Sequence, residues 1–333
     1  MRIVFLYILL PLVVLLVIFF YWGSSVNPDQ NQLHQEISFK SGQGQIGDTF
    51  SIMTYNLGYL SGMANNLPVK PSRELFEDNL KAARKLLNQV QPDILGLQEI
   101  DFGSRRSYYM NQLDSLSMGY QVAVQSVNWD KNYVPFPYWP PAAHFGKMLS
   151  GQAILSKFPV ATSERIVLPA PEKAPFYYRA FYLDRLIQVT EILINGRAVM
   201  VLNVHLEAFD EEIREIQAKV VLKVVEQYIT KKPLILLGDF NARPPFARER
   251  LSDEQTISMF LEHPLLSPAL DSQRYLANEK DHFTFNTGTP YEKLDYIFYT
   301  HQRIQQINVS TVKEAGEISD HFPVLMKFTL LDI

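Results

Sequence analysis

Short apolar runs separated by polar turns fill most of this chain. Runs at 51–55, 94–98, 120–124, 152–156, 186–194, 198–206, 234–237, 294–299, 308–312 and 324–330 are rich in Val, Ile, Leu and Tyr, which predicts strands. Residues 73–90 instead place Leu75, Leu80, Ala83, Leu86, Leu87 and Val90 at helical spacing behind Ser72, a good N-cap. Residues 211–229 repeat that pattern with Ile213, Ile216, Val220 and Val224. Many strands and few helices predict two packed sheets with helices outside.

Residues 5–22 carry no charge; as a helix they would span roughly 27 Å, close to a hydrocarbon core. Phe19, Phe20, Tyr21 and Trp22 close the run, as an aromatic anchor at a membrane interface does. A cleavable leader has a shorter apolar stretch and a small-residue cleavage site, so a single-pass anchor is the preferred reading and cleavage within 23–25 the lesser one. Arg2 is the only charge before the run, which places the N-terminus inside and the bulk of the chain outside the cytoplasm. Residues 23–48, rich in Gln, Ser, Gly and Asn, read as a polar linker holding the rest off the membrane. From 49 to 333 no composition shift or repeat breaks the chain, so one domain is expected there.

Composition narrows the chemistry. With 333 residues, 47% of them apolar, the chain can bury a large core. A net charge of −4 and a pI near 6.0 argue against a broad nucleic-acid surface, which needs a basic footprint. The chain has no cysteine, which excludes disulfides and thiolate metal sites.

Polar residues cluster where apolar runs end. Asn56 follows 51–55, Glu99 follows 94–98, His205 lies in 199–206, Asp239 and Asn241 follow 233–238, and Asp320 and His321 precede 322–331. A carboxylate buried at a strand end without a partner is costly, so this recurrence points to one assembled site for a hard cation and a phosphate. Each cluster alone has a plainer reading. Asn203, His205 and Glu207 share one face by period two and by themselves read as a solvated strand face. Asp239 and Asn241 in Gly238-Asp239-Phe240-Asn241 resemble a turn device, and Pro244-Pro245 shows that the chain turns there. Asp320 and His321 are adjacent and reach one site only off a strand. Asp295 sits in the apolar run 294–298 and needs a partner, for which a histidine N–H is suited.

Taken together the clusters resemble the endonuclease/exonuclease/phosphatase superfamily, which includes pancreatic-type deoxyribonuclease, abasic-site endonuclease, neutral sphingomyelinase and inositol-polyphosphate phosphatase. The motifs are Met53-Thr54-Tyr55-Asn56, Leu97-Gln98-Glu99, the segment from Ser150-Gly151-Gln152 to Phe158-Pro159, Asn203-Val204-His205-Leu206, Gly238-Asp239-Phe240-Asn241, Leu294-Asp295-Tyr296-Ile297 and Ser319-Asp320-His321. Their order covers about residues 50 to 331. The resemblance implies an α/β (α+β) four-layer αββα sandwich of two mixed sheets flanked by helices, with the site at one mouth. It also implies roles. Glu99, Asn56 and Asp320 would serve the metal, Mg²⁺ with Mn²⁺ as substitute. Asp239 with Asn241 would orient and deprotonate water, and His205 and His321 would bond phosphate oxygens, with Asp295 fixing one ring. Arg185 would add a phosphate contact or form a surface salt bridge.

Two features depart from the nuclease pattern. Asp101 stands where the deoxyribonuclease carries an arginine, and residues 128–141, with Phe176, Tyr177 and Tyr178, put unusual aromatic density on expected loops. Such rings favour membrane interfaces and stack on sugars or bases; a self-packed Ω-loop is the plainer account. The sequence therefore leads to a membrane-anchored, metal-dependent hydrolase acting on a phosphodiester, lipid-derived or otherwise small. A membrane-anchored nuclease is the first alternative. A non-catalytic extracytoplasmic binding module is disfavoured because every expected catalytic position is filled. Nothing in the chain sets an oligomeric state.

Overall fold

In the computed structural model, residues 5–26, 29, 32–39, 47–65, 67–249 and 252–332 are described. Helix α1 (Leu10–Ser24) follows a short π-helical turn at Phe5–Leu9. The strands are β1 (His34–Ser38), β2 (Phe50–Asn56), β3 (Ile94–Asp101), β4 (Val122–Val134), β5 (Gly146–Ser156), β6 (Val160–Val167), β7 (Leu186–Ile194), β8 (Arg197–His205), β9 (Leu234–Asp239), β10 (Leu266–Pro268), β11 (Asp295–Thr300), β12 (Ile304–Thr311) and β13 (Val324–Leu330). The two remaining long helices are α2 (Arg73–Val90) and α3 (Glu211–Tyr228). A seven-stranded sheet has the order β1-β4-β5-β3-β2-β13-β12 and a six-stranded sheet the order β10-β11-β9-β8-β7-β6.

Period-two alternation assigns each strand two faces, and both are apolar in the centre of the sheets. Ile52, Ile94, Ile154 and Met326 of the first sheet meet Val201, Ile235 and Leu237 of the second in the middle layer. Met53, Tyr55, Leu95 and Leu97 face outward onto Phe76, Ala83 and Leu86 of α2. Leu202, Val204, Leu234 and Leu236 likewise face Ala218, Val221 and Val225 of α3. The four-layer αββα sandwich follows directly. Ser72 caps α2 as expected, its hydroxyl accepting from the Leu75 amide at 3.2 Å, and Asp210 caps α3 through the Ile213 amide at 3.1 Å.

One long crossover helix joins the parallel pair in each sheet. β2 pairs parallel with β3 through α2, and β8 pairs parallel with β9 through α3. The carboxyl ends of these four strands therefore lie at one end of the sandwich. β11 and β13 run antiparallel to β9 and β2, so the residues that enter them arrive at that same end.

Three sequence readings change here. The stretch 23–48 is not wholly linker: residues 34–38 form β1, which pairs with β4 at the sheet edge. Its polar sequence His-Gln-Glu-Ile-Ser hid it, because an edge strand exposes one rim and one face. Residues 27, 28, 30, 31 and 40–46 of that stretch, and Arg2, lie outside the described residues. Residues 128–134 are not loop, since β4 runs on to Val134 and returns through β5 as a hairpin; the tip beyond Val134 stays irregular, with Phe136 packed on Tyr138 and Phe145. The face carrying Asn203, His205 and Glu207 is buried rather than solvated, since the other sheet covers it.

The hairpin springs from a tight crossing at Gly151, where an added Cβ would lie 2.0 Å from the Ser126 carbonyl oxygen. Because that atom belongs to the backbone of the paired strand, no rotamer relieves the clash. Gly151→Ala should cost about 1–3 kcal/mol of stability, read as a lowered denaturation midpoint. An unchanged midpoint would contradict this packing.

Candidate active site

Register collects the site residues of the six-stranded sheet in one row. Leu186 pairs with His205, His205 with Asp239, and Asp239 with Asp295. Arg185 precedes the first of these. From the other sheet Asn56 ends β2, Glu99 lies near the end of β3, and Asp320 and His321 precede β13. All of them except Leu186, Asn56 and Asp295 border one cavity of about 680 Å³.

Asp239 is the fixed centre. Its Oδ2 accepts from Asn56 Nδ2 at 2.8 Å and its Oδ1 from the Asn241 amide at 2.9 Å. Burial raises the carboxyl to about 7; His321 and the two hydrogen bonds oppose the rise, while Asp295 adds to it. His321 Nδ1 lies 2.9 Å from Asp295 Oδ2, and its Nε2 lies 3.8 Å from Asp239 Oδ2. Burial works against charge on this ring, but the Asp295 and Asp239 carboxylates outweigh it and hold the ring well above its ordinary pKa. His205 behaves oppositely. Burial, with Arg185 and His321 nearby, pushes it well below the usual value and keeps it neutral. Its Nε2 stands 3.6 Å from Asp239 Oδ2 and 3.8 Å from Glu99 Oε1. One imidazole is thus kept charged and the other neutral.

Glu99 escapes the alternation of β3 through a bulge. The β3–β5 register shifts between Leu97 and Ile100, and Glu99 takes φ of 50°, a conformation that a non-glycine residue adopts only at a cost. The bulge turns its carboxylate toward Asp320. Burial and the Asp320 carboxylate raise its pKa. Asp320 approaches through a close contact with Gly58, where an added Cβ would lie 2.6 Å from Asp320 Oδ1 at φ of 50°. Asn65 Nδ2 sits between the two acids, 3.1 Å from Glu99 Oε2 and 3.1 Å from Asp320 Oδ2. One amide group thus bridges the two carboxylates. The set of hard oxygen donors fits Mg²⁺, which favours one or two carboxylates and retains waters. Asp239, Asp295 and His321 also place one ligand atom each within 4.8 Å of one another, and His321 Nδ1 and Asp295 Oδ2 are engaged with each other at 2.9 Å.

Two guanidinium groups border the cavity. Arg185 is buried and held by Glu207 Oε2 at 3.4 Å, while Tyr182 donates to Glu207 Oε1 at 2.8 Å. Among the described residues, Arg185 Nη1 has no hydrogen-bond partner. Arg106 is fixed by Asp101, with Nη2–Oδ1 at 3.0 Å, and lies 3.1 Å from the Tyr59 ring centroid. Asp101 thus anchors an arginine at the cavity.

A model of the Endonuclease/Exonuclease/phosphatase family matches residues 53–321. The chain belongs to that family. It is 28% identical over 140 residues to a UPF0294 protein of Vibrio cholerae serotype O1, a match that spans 42% of this chain and 43% of that protein. Among solved structures it is similar to an endonuclease/exonuclease/phosphatase from Bacteroides vulgatus, with TM-score 0.58, 17% identity, and 86% of this chain and 100% of that one covered. The human Nocturnin catalytic domain with bound sulfate anion gives TM-score 0.58 and 19% identity over 92% of this chain and 100% of that one. Danio rerio TDP2 complexed with single-strand DNA product gives 0.58 and 16% over 85% and 100%. The fold of the family is therefore shared across these chains, and its members are in general hydrolases acting on phosphodiester bonds.

Within this family fold, the structure brings together Glu99, Asp320, Asp239, Asn241, His205 and His321, with Asp295 behind the last. Asn56 donates through Nδ2 to Asp239, and its Oδ1 accepts from the Gly58 amide at 2.9 Å. Arg185 forms no surface salt bridge, being buried against Glu207. Sequence reading missed Asn65 and Arg106. Both lie by short 3₁₀ turns, where periodicity carries no signal, and only their nearness in space marks them.

The charge on His321 rests on Asp295. Asp295→Asn should make the ring lose its proton at a lower pH than in the parent protein, followed by NMR of the histidine ring. A titration that stays where it was would contradict the assigned pairing.

Proposed function

We propose that the chain is a membrane-anchored, Mg²⁺-dependent phosphodiesterase in which water attacks a phosphodiester in line. The observation that carries this reading is the meeting of Glu99 and Asp320 beside the buried Asp239. These two carboxylates would hold Mg²⁺, or Mn²⁺ in its place, and the ion would supply charge stabilisation at a phosphoryl oxygen and the leaving oxygen. Asp239, held by Asn56 and Asn241, orients the attacking water and accepts its proton; a carboxyl poised near 7 suits a general base at neutral pH. His321, kept charged by Asp295, donates through Nε2 to a non-bridging phosphate oxygen. Neutral His205 donates to the same group, and Arg185 Nη1 adds a charge-assisted contact.

The helix within Tyr7–Ser24 is long and apolar enough to cross a membrane; with Arg2 on the inner side, the catalytic part would lie outside the cytoplasm. The acidic surface and the aromatic residues at the cavity favour a lipid-derived or other small phosphodiester over duplex DNA. A nuclease acting on single strands is the second reading. It draws on the TDP2 structure with its DNA product and on rings such as Tyr138 and Tyr178 at the cavity, on which bases could stack.

The full chain should hydrolyse bis-p-nitrophenyl phosphate with Mg²⁺ and lose that activity in EDTA. Asp239→Asn should lower kcat by roughly 10²–10⁴-fold, the usual worth of a general base, without moving the melting temperature downward. Activity that survives both EDTA and Asp239→Asn would sink the proposal. Parallel assays on phospholipid and on single-stranded oligonucleotide decide between the two substrate readings.

A further inference from the structure

The end of α1 does not swing free of the domain. Its last turns are gripped by the β4–β5 hairpin and by the short helix Phe176–Phe181. Ring centroids lie 5.4 Å apart for Phe19 and Tyr133, 5.4 Å for Phe20 and Phe181, and 5.7 Å for Phe20 and Phe176. Lys131 Nζ donates to the Ser24 carbonyl at 3.1 Å, and Asn132 Nδ2 to the Trp22 carbonyl at 3.2 Å and the Ser25 hydroxyl at 2.6 Å. These bonds satisfy carbonyls that a helix end leaves open. Trp129 Nε1 donates to the Phe181 carbonyl at 2.8 Å, tying the two gripping segments to each other.

This grip fixes depth. Aromatic residues at the end of a membrane-spanning helix sit at the headgroup level, and side chains in ring contact with Phe19 and Phe20 lie within a few ångströms of that level. The gripping segments are also the outer wall of the active site: Phe136, Tyr138, Phe145, Tyr178 and Phe181 border the same cavity as Glu99, Asp239 and His321. Beyond that wall they leave large rings in the open. Trp139 is 77% exposed, Phe176 68% and Tyr177 54%, and Phe209, after β8, is 78% exposed. Adjacent exposed rings of this kind mark an interaction surface, and Trp and Tyr suit a setting that is apolar on one side and wet on the other.

We propose that this aromatic rim seats on the bilayer surface beside α1, so that the mouth of the site opens onto the membrane and the phosphodiester it takes is a lipid headgroup. The bilayer is the occupant that the structure favours, because the rim is continuous with the one helix, among the described residues, apolar enough to enter it. The headgroup part rests on the phosphodiesterase reading above; the seating rests on the grip and on α1 as a membrane anchor.

Because the chain has no cysteine, single labels are clean. A nitroxide at Trp139→Cys, in the full chain within phosphatidylcholine–phosphatidylglycerol nanodiscs, should be reached more by oxygen than by a water-soluble nickel complex. One at Asn195→Cys, in the β7–β8 turn at the opposite end of the sandwich, should show the reverse. Equal aqueous access at both positions overturns the seat, as does a Trp139 label buried equally in detergent micelles holding two copies of the chain. For substrate, Trp139→Ser/Tyr177→Ser should lower hydrolysis of phospholipid in vesicles by about tenfold or more and leave bis-p-nitrophenyl phosphate hydrolysis unchanged. Equal loss on both substrates, or loss on neither, overturns the headgroup claim. A parent chain that cleaves no phosphodiester refutes the enzymatic reading, while the label pair still decides the seat.

Discussion

Carboxylates placed at buried strand ends must find partners or lose their charge, and here the strand register supplies the partners. The row Leu186, His205, Asp239, Asp295 is set by backbone pairing across β7, β8, β9 and β11. A slip of one residue would turn each side chain to the opposite face and leave Asp239 and Asp295 in an apolar layer. The two parallel crossovers then bring the ends of β2 and β3 over that row from the other sheet. Chemistry at this site is therefore a consequence of pairing and topology before it is a matter of any single side chain.

What keeps the two sheets in correspondence is a polar layer just beneath the site. Gln98 donates to Asn203 Oδ1 at 2.6 Å, Asn203 Nδ2 donates to the Leu97 carbonyl at 3.0 Å, and Gln152 donates to the Asn203 carbonyl at 3.1 Å. Buried networks of this kind are costly unless they are filled, and when filled they specify one arrangement. Apolar contacts in the middle layer are non-directional, whereas these amides fix one register. On the rim above them Glu99 and Asn241 both adopt φ of 50°, as functional loops on a rigid scaffold commonly do.

Much of this was legible in the sequence, and the parts that were not have identifiable reasons. Central strands and both long helices announced themselves because their burial imposes a period. Strands β1 and β6 did not, since His34–Ser38 and Val160–Val167 lie at sheet edges and carry polar residues. The hairpin over 128–141 was disguised by Asp130, Lys131 and Asn132 on one side and by its prolines on the other. Among site residues, Glu99, Asp239, Asp320 and His321 stood out as charges at the ends of apolar runs. The hydrogen bond from Asn56 to Asp239 was not readable, because an amide that ligates and one that bonds a neighbouring carboxylate have the same sequence context. Asn65 and Arg106 reach the site from irregular turns, so only folding reveals them. Asp101, which looked like the loss of an arginine, proves to be the anchor of another.

The proposed chemistry depends on where a divalent cation sits. Crystals grown with Mn²⁺ and measured at its absorption edge give that position directly from anomalous scattering. A peak between Glu99 and Asp320, with Asp239 free to face a water, is the result predicted. A peak held by Asp239, Asp295 and His321 instead would remove the general base and contradict it.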